Sequence, residues 1–214
     1  MNQLLLRPWT KPLVFLGALL PVGWLLLAAI THQLGVNPAE ALVRSTGDWS
    51  LRLLCAVLAV TPLRRLGGLP ALLRFRRMLG LFVYFYVVLH LLSYSWFDMG
   101  FDVADMTHDI AKRPFILVGF TAFLLLTPLA ATSFNRAIRW LGASRWLALH
   151  RLVYAVAVLA VLHFFWMRAS KNNLVEVAVY ALILGCLLGW RLVRFLREQR
   201  RQPLPGLPSA VTRR

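Results

Sequence analysis

Acidic residues are scarce in this sequence: eight Asp and Glu stand against 24 Lys and Arg in 214 residues, a formal net charge of +16. Charge of either sign is thin, at 15% of residues against about 25% in an ordinary soluble domain. A chain solvated on all sides is therefore excluded. Cysteine is also rare. Cys55 and Cys186 are the only two, and neither belongs to a Cys-x-x-Cys or Cys-x-x-Cys-His pattern. That excludes covalent c-type haem attachment, zinc sites of the usual spacing and a disulfide framework. No Gly-x-Gly-x-x-Gly follows a strand-like run, and only a short tail follows the last apolar stretch. We therefore expect no soluble catalytic domain.

What is present is hydrophobic, 59% of residues, with a mean hydropathy of +0.67. Charge-free runs cover 12–39, 78–97 and 114–135, and shorter ones cover 53–63, 152–167 and 177–190. A spanning helix needs about 20 mostly apolar residues, and basic side chains can snorkel at its ends. The pattern predicts an all-α, six-helix transmembrane bundle with helices near 12–32, 49–66, 78–97, 114–132, 149–168 and 174–193. The first run is too long for a signal peptide and lacks a clear cleavage site, so it reads as a retained span. Residues 1–11 form an N-terminal segment, 12–195 the membrane domain and 196–214 a disordered tail. The segments 33–48 and 98–113 read as outer loops, the second acidic.

Lys and Arg divide 18 to 6 between the two sides of this arrangement. Both termini are expected in the cytoplasm. Seven of the eight acidic residues fall on the outer side, so the basic excess is a topology signal and no nucleic-acid partner is expected. The segments LAVTPL at 58–63 and LLLTPL at 124–129 echo one another, as two similar helix stops would.

His32 and His108 lie at or beyond the outer boundary. His90, His150 and His163 lie within predicted spans, where an ionisable side chain suggests function. From the cytoplasmic ends, at 1.5 Å per residue, His90 is about 18 Å and His163 about 21 Å into its helix. They share one layer of the outer half-bilayer. Two imidazoles at one depth on two helices suit the axial positions of a haem, so His90 and His163 are the candidate iron ligands. The aromatic residues Phe82, Tyr84, Phe85, Tyr86, Tyr94, Trp96, Phe164, Phe165 and Trp166 are expected around them. His150 lies roughly 20 Å below His163 and about 140° around an ideal helix. Its place could be on a second haem, beside a flavin or beside a propionate. Arg74, Arg76 and Arg77 are candidate propionate or phosphate contacts, or plain cytoplasmic anchors. One haem is favoured over two, because Arg76 and Arg77 occupy the position opposite His150.

TPLRR at 61–65, LGLFVYFYVVLH at 79–90, LLLTPLAATS at 124–133 and LHRLVYAVAVLAVLH at 149–163, taken in order, resemble the MsrQ family within the ferric reductase-like transmembrane group. The resemblance covers roughly residues 44–195. It implies a haem-binding subunit of the bacterial inner membrane that passes electrons to MsrP, a periplasmic molybdopterin enzyme reducing oxidised methionine in proteins. Substrate catalysis would then lie on MsrP. The family implies b-type haem and FMN, with a cytoplasmic flavin reductase or the quinone pool as electron source. Its haem-associated histidines correspond to His90, His150 and His163. The partner is expected to dock near 98–113, where four Asp could meet a basic surface. Two other readings stand beside this one: a ferric or cupric metalloreductase subunit, and a haemless transporter or assembly factor.

Overall fold

The computed structural model describes residues 2–169 and 174–200, and all of its regular structure is helical. Lys171 and the tail beyond residue 200 lie outside the described residues. A short α1 (Asn2–Leu6) precedes α2 (Thr10–Ile30) and α3 (Pro38–Leu66). A 3-10 turn at Pro70–Leu72 leads into α4 (Leu73–Phe97), then α5 (Val103–Lys112) and α6 (Pro114–Ala131). The short α7 (Asn135–Leu141) and α8 (Ala143–His150) lead into α9 (Leu152–Ala169), and α10 (Val175–Arg200) follows.

Among the described residues, five stretches are long and apolar enough to cross a membrane: Thr10–Ile30, Pro70–Phe97, Pro114–Ala131, Ala143–Ala169 and Val175–Arg200. The remaining long helix, α3, carries Glu40, Arg44, Asp48 and Arg52 in its first half and is the least apolar of the six. Large side chains such as Leu20, Ile30, Trp24 and Leu182 stand exposed around the outside, as lipid-facing residues must.

Two helix pairs form the centre, α3 against α4 and α6 against α9; α2 lies against α3 and α4, and α10 against α3 and α9. Tyr86 and Ala157 are fully buried between them, with Leu58 and Leu184 nearly so. Tyr86 also meets α2 beside its internal proline. Pro21 lies inside that helix and disturbs its hydrogen-bond ladder. The Tyr86 hydroxyl enters there, donating to the Ala18 carbonyl at 2.8 Å and accepting from the Val22 N–H at 3.2 Å.

Four expected boundaries move. The 33–48 segment is not mainly loop, because α3 begins at Pro38. Asn37 caps it, its side chain accepting from the Glu40 N–H at 3.1 Å, and Arg44 pairs with Glu40 one turn on. Within 98–113, Asp102 caps α5 by accepting from the N–H groups of Ala104 and Asp105. The expected helix over 149–168 is two helices, α8 and α9, that meet at Arg151. At the far end α10 continues to Arg200, so residues 196–200 are helical rather than tail.

Candidate functional site

His90 lies on α4 and His163 on α9, and each turns Nδ1 toward the backbone of the helix paired with its own. His90 Nδ1 is 2.8 Å from the Val43 carbonyl of α3. His163 Nδ1 is 2.7 Å from the Phe115 carbonyl of α6. A carbonyl only accepts, so Nδ1 donates in both and the lone pair remains on Nε2. Nε2 of neither ring has a hydrogen-bond partner among the described residues. The ring centroids are 6.2 Å apart and the ring planes stand at 81°.

Both rings line one cavity of about 660 Å³, within the range of cofactor pockets. Its walls are mostly apolar, from Leu51, Leu54, Val83, Val87 and Ala160. Of the nine aromatic residues expected there, only Tyr94 and Phe164 reach the cavity. Phe115, Phe120 and Phe123 of α6 and Phe97 at the end of α4 supply the rest. The α6 phenylalanines lie far from both histidines in sequence, and their part emerges only once α6 and α9 pair.

The charged end of the cavity is built by residues to which the sequence assigns no place at the histidine site. Arg44, Asp48, Asp98, Arg113 and Arg168 line it. Arg168 is only 8% exposed. It sits 2.8 Å from Glu176 and 3.7 Å from Asp48, with its guanidinium over the Phe164 ring. Asp109 accepts from the Tyr94 hydroxyl at 2.7 Å and pairs with Arg113 at 2.8 Å. It therefore ties the end of α4 to α5 and the start of α6. Burial raises the Asp98 carboxyl above its usual range, with the Arg113 charge opposing that shift.

Arg74, Arg76 and Arg77 do not line this cavity. They lie in the first turns of α4, at the opposite end of that helix from Asp98. Arg74 donates to the Leu5 carbonyl at 2.9 Å, and Arg77 donates to the Asn135 side chain at 2.7 Å. Arg76 is close enough for its charge to act on His150 and Arg191.

His150 is also away from the cavity. Its ring stacks on Trp146 with centroids 3.9 Å apart. Its Nε2 lies 3.2 Å from the Thr132 hydroxyl, whose own proton goes to the Pro128 carbonyl at 2.7 Å. With the Thr132 proton on that carbonyl, His150 Nε2 is the donor to the hydroxyl oxygen. The Trp146 indole N–H donates to the Thr132 carbonyl at 3.0 Å, fixing the stack. Arg151, between α8 and α9, keeps helical dihedral angles of φ −69° and ψ −20°.

No group of three or more His, Cys, Asp and Glu able to hold a metal occurs among the described residues. Cys55 and Cys186 are free thiols. Two imidazoles with open Nε2 atoms beside an apolar cavity form an incomplete donor set for a bare ion. They suit a metal whose remaining positions are filled by a macrocycle. His90 and His163 would be the residues that hold such a group, which would supply one-electron chemistry.

The chain matches the family described as ferric reductase like transmembrane component over residues 46–161. It is 69% identical over 198 residues to the protein-methionine-sulfoxide reductase heme-binding subunit MsrQ of Polaromonas naphthalenivorans, covering 92% of this chain and 90% of the relative. The chain belongs to the MsrQ family. MsrQ of Herminiimonas arsenicoxydans is 52% identical over 178 residues, covering 83% of this chain and 82% of its own length. MsrQ of Ralstonia nicotianae is 51% identical over 193 residues, with 90% and 89% covered. No solved structure matches the chain. Membership of MsrQ and of the ferric reductase-like transmembrane family, together with the five apolar helices, makes this a multi-pass membrane protein.

Proposed function

We propose that the chain binds b-type haem between His90 and His163 and carries electrons across the bacterial inner membrane to a periplasmic MsrP-like molybdopterin enzyme, which reduces methionine sulfoxide in proteins. The observation that carries this reading is the pair of imidazoles 6.2 Å apart on one apolar cavity, each with Nδ1 committed and Nε2 open. The relatives' name, protein-methionine-sulfoxide reductase heme-binding subunit, points the same way. Haem accepts and releases one electron at a time, at a potential set by its ligands and burial. The residues of this chain do the rest. His90 and His163 offer neutral imidazole nitrogens, and the two carbonyls hold the rings in the ligating tautomer. Leu51, Leu54, Val83, Val87 and Ala160 exclude water.

Six spans with both termini cytoplasmic place this cavity in the outer half of the bilayer, with α3 as the sixth span, its charged first half facing the cavity mouth. Electrons enter from a cytoplasmic flavin reductase or the quinone pool. FMN, by family resemblance, and a second haem are the two cofactors His150 could serve. The periplasmic partner docks beside 98–113. The acidic surface offered there is smaller than the four Asp suggest, because Asp102 caps α5 and Asp109 is committed to Tyr94 and Arg113.

A ferric or cupric metalloreductase would use the same cavity and differ in its acceptor. The test is reoxidation of the chemically reduced protein in proteoliposomes. Rapid reoxidation by an MsrP-like enzyme with methionine sulfoxide, and slow reoxidation by ferric citrate, is the expected result. The reverse order would replace this function with metal reduction.

A further inference from the structure

We propose that Gly47 and Gly119 are positioning residues that seat the two cavity histidines by leaving bare the helix carbonyls to which those histidines are tied. The arrangement occurs twice. His90 is bonded to Val43 of α3, and Gly47 follows four residues later. His163 is bonded to Phe115 of α6, and Gly119 follows four residues later.

The spacing has a geometric cause. Cα–Cβ bonds in a helix tilt toward its N-terminus, so the side chain at i+4 stands over the carbonyl of residue i. A carbonyl has a second lone pair beyond its helical bond, but a neighbouring ring reaches it only where no side chain covers it. A Cβ at Gly119 would lie 2.8 Å from both Cε1 and Nδ1 of His163. A Cβ at Gly47 would lie 3.1 Å from Nδ1 and 3.2 Å from Cε1 of His90. In each case the obstructed atoms are the imidazole's own, including the one that donates. Other helix glycines differ: at Gly17, Gly23, Gly80, Gly185 and Gly189 a Cβ would meet nothing within 4 Å.

The pair also sets the relation between the two halves of the site. Each seat joins the helix carrying the histidine to the helix packed most closely against it, α4 to α3 and α9 to α6. The two TPL segments that echo one another do not share this register. Thr61 follows Gly47 by 14 residues and Thr127 follows Gly119 by only 8. The seats are thus a feature of the histidine layer and not a by-product of the sequence echo.

The inference rests on the haem reading for one readout and stands apart from it for another. In haem-loaded protein, Gly119→Ala should lower haem affinity by about 10–100-fold, as loss of the group orienting a metal-bound histidine does. It should also move the low-spin EPR signal and the midpoint potential of what remains. Gly47→Ala should do the same to a smaller degree, because its gap is wider. Gly80→Ala and Gly185→Ala should leave all three unchanged. In haem-free protein, 15N-histidine NMR should show the Nδ1-protonated tautomer at positions 90 and 163, with the His163 signal shifted in Gly119→Ala. If Gly119→Ala does not yield monodisperse protein, Gly47→Ala decides on the same readouts. Wild-type spectra, affinity and tautomer in the seat variants would overturn the proposal, as would equal losses in the two control variants. Wild-type protein that never takes up haem would refute the function proposed above and leave the tautomer measurement to decide the seats.

Discussion

Replacing Tyr86 by Phe removes one oxygen from the most buried side chain of the bundle, and the structure sets the cost. That oxygen makes two hydrogen bonds, to the Ala18 carbonyl and from the Val22 N–H. These groups are four residues apart on α2, so an unbroken helix would simply join them and the loss would be small. Pro21 lies one residue before Val22, and its ring crowds this turn of α2, so that closure is weakened. Two backbone groups are then left unpaired in an apolar setting. A buried group left unsatisfied costs about 1–3 kcal/mol, while side-chain hydrogen bonds measured inside membranes average about 0.6 kcal/mol. Partial relaxation of α2 places the expected loss at about 2 kcal/mol. Reversible unfolding in mixed micelles reads it directly. A second variant isolates the cause: Pro21→Ala in the Tyr86→Phe background allows the ladder to close and should recover about 1 kcal/mol. Tyr86→Phe within about 0.5 kcal/mol of wild type, a typical value for a harmless change, would refute the reasoning. So would a Pro21→Ala change that lowers stability further in that background. The consequence reaches the site, because Tyr86 lies one turn before His90 on α4 and fixes that helix against α2.

Arg168→Gln removes the ion pairs to Glu176 and Asp48, leaving Asp48 with the more distant charges of Arg52 and Arg44. With solvent screening, thermal unfolding in detergent should register a loss of about 1–3 kcal/mol. Asp109→Asn keeps the shape but weakens the link from Tyr94 and Arg113 to α5. Hydrogen exchange should rise in α5 specifically, and unchanged protection there would contradict the role given to Asp109. His150→Ala should leave most of any low-spin signal from the outer site intact, since His150 lies outside that cavity; loss of the whole signal on EPR would count against the division of the site.

Much of the architecture was legible because it follows from hydrophobic run lengths. The helices over 78–97 and 114–132 fall inside or nearly on α4 and α6. Equal depth of His90 and His163 followed from helical rise alone, and the rings are 6.2 Å apart in the structure. The start of α3 was hidden because Glu40, Arg44 and Asp48 make an apolar scan read that stretch as loop, although Asn37 and Pro38 are ordinary helix-starting residues. That hidden stretch holds Val43 and Gly47, so the seat of His90 went unseen with it. Gly119 and Phe115 were invisible for another reason: their role exists only against α9, and no local pattern marks a carbonyl left bare for a neighbour. Arg168 was counted for orientation, yet its place at the cavity wall depends on α3 and α10 meeting beside it.

Joint haem binding by His90 and His163 is tested most directly by the reduced-minus-oxidised absorption spectrum of the purified protein, with haem quantified per chain, for wild type, His90→Ala and His163→Ala. A low-spin b-type spectrum in the wild type, lost from the outer site in each variant, is the expected result. A full haem complement with an unchanged spectrum in both variants would contradict it.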